Sequence, residues 1–229
     1  MINTFNFCKD STLLNKKETE TLLNRFDQIY KENMHKSLTP GIKELMGDEI
    51  SNEPLFTSLL ERIHKKFEFI LDKNDLIFEK LWLVSSIPID ADETKLPYIP
   101  HIDKDRSLKA MIYLHDVSLN HGPIHIGRAK NNIDTEQIRK QLPHDYQLKD
   151  LNTIKKENID GSLTPMTGEA GDVIFFDTNL PHKAGIVSNN FARYVLRFDF
   201  DLDGLNVKPS LIERFLKKFY ALCNINQKL

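Results

Sequence analysis

Gly168-Glu169-Ala170-Gly171-Asp172-Val173-Ile174-Phe175-Phe176-Asp177-Thr178-Asn179-Leu180-Pro181-His182 reads as a glycine-aspartate turn, a short unbroken apolar run, and a second turn that ends in a histidine. Four consecutive apolar residues between turn signals are too few for a helix and fit a strand covered on both faces. The pattern recurs on either side, at Leu81-Trp82-Leu83-Val84, Leu108 to Leu114, Ile124 to Ile126 and Tyr194 to Leu202. Strands that succeed one another without regularly alternating long helices argue for an antiparallel sandwich or barrel, not a doubly wound sheet. The chain from Lys80 to about Phe200 is therefore expected to be mainly β.

Helical periodicity appears at both ends. Leu22, Leu23, Phe26, Ile29 and Tyr30 recur at helical spacing behind a capping box formed by Asn15 and Glu18. Ser51-Asn52-Glu53-Pro54 then opens a second helix, whose stripe is Phe56, Leu59, Leu60, Ile63, Phe67 and Ile70. After Pro209-Ser210, a box to Glu213 and a stripe of Leu211, Ile212, Phe215, Leu216 and Phe219 predict a terminal helix. Residues 131–165 are polar, with a weak helix signal at Thr135 to Leu142, and are expected to be an insertion that covers the site as a mobile lid. With 229 residues the chain is expected to be one domain: helices in 1–79, a β core in 80–202 carrying the insertion, and a helix in 203–229.

Lys and Arg number 31 against 33 Asp and Glu, so no basic surplus exists to grip nucleic acid or an acidic membrane surface. No apolar run approaches the ~18 residues of a membrane span, and the first ten residues lack the order of a signal peptide. Cys8 and Cys223, without a CxxC, suit free thiols in a reducing compartment, and a cytoplasmic location is expected.

Pro97-Tyr98-Ile99-Pro100-His101-Ile102-Asp103 holds the only H-x-D of the chain. In an extended segment, residues i and i+2 face the same way, so one metal ion can meet both side chains. About one H-x-[Asp/Glu] is expected by chance at this composition, so the pair alone reads more readily as an exposed strand end than as a metal site. His182 and, eleven residues on, Arg193 change that reading. Two histidines and a carboxylate on one face of a metal leave three adjacent positions open, the ligand set of non-haem Fe(II) oxygenases.

On the last strand, Arg193, Val195, Arg197 and Asp199 share one face. Alternation alone would give that face to solvent. Arg197 is then either a second basic group toward substrate or half of an ion pair with Asp199. His125, flanked by Ile124 and Ile126, is a candidate wall residue of the site. His35 and His64 read as surface or boundary residues beside helices, and His115, His121 and His144 as solvated turn residues.

Over roughly Lys80 to Phe200 the sequence resembles the Fe(II)- and 2-oxoglutarate-dependent oxygenases of the phytanoyl-CoA dioxygenase-like family. The resemblance rests on His101-Ile102-Asp103, His182 and Arg193, and on the stretch Asn120-His121-Gly122-Pro123-Ile124, where His121 replaces an Asn of the family pattern. It implies a double-stranded β-helix, a jelly-roll or cupin-like pair of facing sheets. His101, Asp103 and His182 would hold Fe(II), Arg193 would anchor the distal carboxylate of 2-oxoglutarate, and Tyr98 would line that cosubstrate. Ala184 stands where relatives often carry a hydroxyl. The implied reaction consumes dioxygen, converts 2-oxoglutarate to succinate and CO2, and hydroxylates a small or carrier-bound organic substrate. Related halogenases lack the carboxylate that Asp103 supplies. His125 and Arg197 are candidate substrate contacts, and Arg197 would suit an anionic compound. A cupin-like metalloenzyme independent of oxoglutarate and a non-catalytic ligand-binding barrel are the alternatives.

Overall fold

The N-terminal stripes fold as amphipathic helices because their apolar residues repeat with the helical period. Helix α1 (Lys16–Glu32) opens on both bonds of the expected capping box: Glu18 N donates to Asn15 Oδ1 at 3.0 Å and Asn15 N donates to Glu18 Oε2 at 2.9 Å. It buries Thr19, Leu22, Phe26 and Ile29, and helix α2 (Pro54–Leu71) buries Phe56, Leu59, Ile63 and Phe67. The computed structural model describes residues 7–32, 42–46, 53–71, 76–90, 92–143 and 154–202. The expected C-terminal helix, Cys223, His35, His144 and the Ser51-Asn52 cap lie outside them.

Among the described residues, nine strands form two antiparallel sheets. They are β1 (Cys8–Asp10), β2 (Ile42–Met46), β3 (Leu76–Ser86), β4 (Leu108–Tyr113), β5 (His125–Ala129), β6 (Ile159–Pro165), β7 (Val173–Asp177), β8 (His182–Lys183) and β9 (Arg193–Leu202). The larger sheet runs β1-β7-β4-β9-β3-β2 and the smaller β6-β5-β8. Every pairing is antiparallel. This is the jelly-roll, cupin-like class expected from the sequence.

Strict alternation on the large sheet separates two cores. Leu81, Leu83, Leu108, Ala110, Ile112, Val173, Phe175, Leu196, Phe198 and Phe200 pack with α1 and α2. Val84, Met111, Tyr113, Ile174, Phe176 and Val195 face the other way and meet Ile126 of β5, together with Ile124 and Leu180. Covering both faces explains why these strands read as continuous apolar runs. The charged face of β9 thus points between the sheets, not to solvent as alternation alone suggested. Tyr30 pins α1 to the sheet: its hydroxyl donates to Leu83 O at 3.0 Å and accepts from Ser85 N at 3.1 Å.

Two boundaries differ from the sequence reading. Strands are not confined to residues 80–202, because β1, β2 and the start of β3 come from the first 79 residues. Ile159–Pro165, expected to close an insertion, is instead a strand paired with β5. Its outward residues are polar and largely exposed, which hid it in a sequence read for apolar runs. Residues 135–141 of the same stretch do form the expected helix, α3 (Thr135–Gln141), capped by Asp134 Oδ1, which accepts from Gln137 N.

Phe67 is fully buried, and its ring meets Phe175 of β7 edge-on at 4.9 Å and Phe200 of β9 at 5.3 Å. Replacing it with alanine is expected to lower unfolding free energy by about 3–5 kcal/mol in urea titration. A loss under about 1 kcal/mol would show that the helix layer does not depend on this ring.

Candidate metal centre

His101 follows β3 at the end of a long connection, whereas His182 begins β8. A reciprocal pair of backbone hydrogen bonds joins them: His101 N to His182 O and His182 N to His101 O, each 2.9 Å. Asp103 N donates to Thr178 O at 3.2 Å, and Ser107 N donates to Thr178 Oγ1 at 2.8 Å. The two segments that carry the H-x-D and the distal histidine are therefore stapled by main chain before any metal arrives.

One nitrogen of each imidazole and one carboxylate oxygen of Asp103 converge, all within 4.8 Å of one another. His101 Nε2 lies 3.7 Å and His182 Nε2 3.4 Å from Asp103 Oδ1. The opposite nitrogens are engaged with main-chain carbonyls: His101 Nδ1 donates to Ile99 O and His182 Nδ1 to Leu180 O, both at 2.8 Å. A carbonyl can only accept, so each ring carries a proton on Nδ1 and turns its Nε2 toward the space it shares with Asp103 Oδ1, the orientation a metal-ligating histidine needs.

Electrostatics prepare the same state. Burial, helped by the neighbouring His182, lowers the His101 pKa to about 4 against the pull of Asp103. Burial pushes the Asp103 carboxyl up, but opposing charge, the Lys109 ammonium foremost, holds it well below the ordinary range. Lys109 Nζ sits 2.6 Å from Asp103 Oδ2, leaving Oδ1 for the shared centre. The sequence reading missed Lys109. Its signal was present, since it is the one charged residue inside the otherwise apolar run from Leu108 to Leu114.

Arg193, opposite Ser86 in the β3–β9 register, is buried between the sheets. Its Nη2 donates to Ser86 Oγ at 3.2 Å, while Nε and Nη1 find no partner among the described residues. Burial lowers its pKa, opposed by nearby Tyr113 and Tyr98. Tyr98 is itself buried, close enough to Arg193 to feel its charge. Tyr113, which sequence reasoning did not single out, donates its hydroxyl to Met166 O at 2.6 Å.

Arg197 is already occupied. It makes two bonds to Asp199, at 2.9 and 3.2 Å, approaches Glu44 at 3.7 Å and stacks over Trp82 at 5.0 Å. The ion pair that the sequence offered as one alternative is thus formed. His125 pairs in register with Lys183, while the inward Ile126 pairs with His182. Alternation sets His125 on the opposite face from Ile124 and Ile126, half-buried, with its Nδ1 unpartnered among the described residues. His115, expected to be solvated, instead accepts a hydrogen bond from Tyr194 N at 3.1 Å through Nε2. His64, read as a surface or boundary residue, lies half-buried in the middle of α2, with Nε2 near Leu76 O at 3.2 Å.

Close packing continues past the distal histidine. A side chain at Gly185 would come within 2.3 Å of Pro123 O, and Gly122, at φ 63°, faces it. The Gly122-Pro123 turn recognised in the sequence is therefore needed so that two backbones can cross beside the centre.

The His101 ring is expected to remain a neutral Nδ1–H tautomer in metal-free protein at neutral pH. Unfolded chain takes up this proton near pH 6.5 and folded chain only near pH 4, so this group makes stability fall as pH drops through that window. Long-range nitrogen–proton NMR of the imidazoles checks both points. An imidazolium signal for His101 at pH 6.5 would contradict them.

Residues 83–195 match the family model described as Phytanoyl-CoA dioxygenase (PhyH). No curated protein sequence matches the chain significantly. Among solved structures, the non-heme alpha ketoglutarate dependent epimerase SnoN from nogalamycin biosynthesis is similar, with TM-score 0.62, 15% identity, and coverage of 86% of this chain and 78% of that one. HygX from Streptomyces hygroscopicus, solved with nickel and 2-oxoglutarate bound, gives TM-score 0.61, 14% identity and coverage of 89% and 85%. A prolyl hydroxylase from Trichoplax adhaerens, in complex with a hypoxia inducible factor peptide fragment, gives 0.58, 15%, 89% and 87%. At such identities these likenesses establish the fold.

Proposed function

We propose, from the match of residues 83–195 to the phytanoyl-CoA dioxygenase family model, that this chain is an Fe(II)- and 2-oxoglutarate-dependent dioxygenase that hydroxylates a small or carrier-bound organic molecule. The observation that carries this reading is the buried Arg193 guanidinium, with two unpartnered nitrogens, in the same barrel interior as the converging His101, Asp103 and His182. A buried cation with so few partners is costly, and a carboxylate laid across its planar edge offsets that cost with paired charge-assisted bonds. The donor set of two neutral imidazoles and one carboxylate fits Fe(II) and leaves positions for a chelating cosubstrate and dioxygen.

When bound, Fe(II) and 2-oxoglutarate supply the oxidising chemistry, using dioxygen and yielding succinate and CO2 with oxidation of a substrate C–H bond. The protein contributes position and charge. His101 and His182 hold their lone pairs ready through Nδ1 bonds to Ile99 and Leu180. Lys109 keeps Asp103 ionised and fixes the rotation of its carboxylate. Arg193 sets the depth at which the distal carboxylate stops, with Ser86, Tyr98 and Tyr113 around it. Val84, Met111, Phe176 and Val195 exclude water from the interior. The presence of Asp103 favours hydroxylation over halogenation. A ligand-bearing core, no basic surplus and, among the described residues, no helix long and apolar enough to cross a membrane favour a diffusible small-molecule substrate.

His101→Ala, Asp103→Ala and His182→Ala are each expected to abolish stoichiometric Fe(II) binding in anaerobic titration while the fold persists. Any one that retains wild-type affinity loses its assignment. Arg193→Ala is expected to weaken 2-oxoglutarate binding by about 30- to 1000-fold, and Arg193→Lys to recover part of it, since an ammonium cannot supply the planar fork. Anaerobic calorimetry checks this, and unchanged affinity removes the cosubstrate role. Succinate release separates the alternatives: an oxoglutarate-independent cupin would turn over without it, and a binding barrel would not turn over.

A further inference from the structure

Helix α3 is held to the barrel in an unusual way: Arg139 is its only buried residue. The guanidinium donates from Nε to the backbone carbonyl of Asp103 at 3.0 Å, from Nη2 to Asn179 Oδ1, and from Nη1 to Glu136 on its own helix. One end of this fork therefore touches the segment carrying the H-x-D, and the other touches the loop leading to His182. Lys104 Nζ adds a bond to Leu142 O at the end of α3. Beneath them Arg106 and Asp177 form a buried bidentate pair, with Nε at 3.0 and 3.1 Å from the two carboxylate oxygens, and Asp177 Oδ1 also accepts from Asn179 N at 2.8 Å. Asn179 is thus rigid, and Arg139 docks on a prepared surface.

We infer that Arg139 is a positioning residue that couples the seating of α3 to metal binding at His101, Asp103 and His182. The inference rests on the metal reading proposed above. Asp103 is restrained at three points: N by Thr178 O, carbonyl by Arg139, and carboxylate by Lys109. Two of the three come from the barrel itself, and the third comes from a helix with no apolar stripe to hold it. An apolar helix would seat regardless of the centre. A helix held by a guanidinium across both ligand segments is sensitive to their relative placement, which a bound metal fixes. Linkage makes the effect mutual: metal binding stabilises the docked helix, and a docked helix raises metal affinity by the same factor. Arg139 thereby gives α3 a means of sensing the state of the centre.

The test uses full-length protein, Mn(II) as the only ligand, and the variants Arg139→Ala, Arg139→Lys and Lys140→Ala, the last being an exposed neighbour on the same helix. Mn(II) affinity is read by electron paramagnetic resonance titration, and α3 seating by the rate of proteolysis within residues 131–143. Wild type and Lys140→Ala are expected to bind alike and to become more resistant to cleavage with Mn(II). Arg139→Ala is expected to bind about 10- to 100-fold more weakly and to lose the metal-dependent protection, and Arg139→Lys to bind with intermediate affinity. Should Arg139→Ala fail to fold, Asn179→Ala removes the other partner and is expected to shift both readouts the same way. Wild-type Mn(II) affinity in the folded variant, or cleavage of wild-type α3 that ignores Mn(II), overturns the coupling. Failure of wild type to bind Mn(II) at all instead overturns the metal reading on which it stands.

Discussion

The reciprocal hydrogen bonds between His101 and His182 are the constraint on which the rest of the centre depends. They bring together main chain from the connection after β3 and from the first residue of β8, segments that are remote in sequence. With the backbones joined, the rings lie 4.4 Å apart between centroids, and Asp103, two residues on, is carried into the same space. A metal-binding set assembled from side chains alone would lose three sets of rotamers on binding. Here the staple, the two Nδ1–carbonyl bonds and Lys109 remove most of that freedom when the chain folds, so on the proposed reading an ion would meet its ligands nearly in place.

The two-core architecture makes this possible. One face of the large sheet is committed to α1 and α2 through Phe67, Phe175, Phe198 and Phe200, which supplies stability remote from the chemistry. The other face is then free to carry polar groups that would be expensive in a single core. Arg193, Arg197, Asp199 and Lys109 all project there, each paired or, for Arg193, incompletely paired. The unequal treatment of the two arginines on β9 separates structure from function. Arg197 is partnered by Asp199, Glu44 and Trp82, whereas Arg193 has, among the described residues, a hydrogen bond to Ser86 alone. Satisfied charge builds the barrel, and unsatisfied charge is what a ligand recognises.

Much of this was legible in the residues and some was not, for identifiable reasons. Helices α1 and α2 announce themselves because one buried face at helical period leaves a strong mark, and the Asn15–Glu18 box marks the start of α1. Strands β3, β4, β7 and β9 show as apolar runs because both of their faces are covered. Strands β1, β2, β6 and β8 escaped: β1 and β8 are too short for a pattern, the edge strand β2 is interrupted by Lys43 and Glu44, and β6 exposes most of its residues at the edge of the small sheet. The H-x-D, the later histidine and the arginine eleven residues on stood out by spacing, and the structure brings His101, Asp103 and His182 together and buries Arg193. Arg139 and the Arg106–Asp177 pair did not stand out, because contacts between residues 71 positions apart, or from a weak polar helix, leave no local periodicity to read.

The central claim is that one interior holds a metal on His101, Asp103 and His182 and an oxoglutarate carboxylate on Arg193. A crystal structure with Ni(II) and 2-oxoglutarate, grown without dioxygen chemistry, tests it most directly. The expected result is one metal ligated by His101 Nε2, Asp103 Oδ1 and His182 Nε2, and chelated by the keto acid. The distal carboxylate should rest on Nε and Nη1 of Arg193. Oxoglutarate seated elsewhere, or a metal that leaves any of the three side chains unligated, would contradict it.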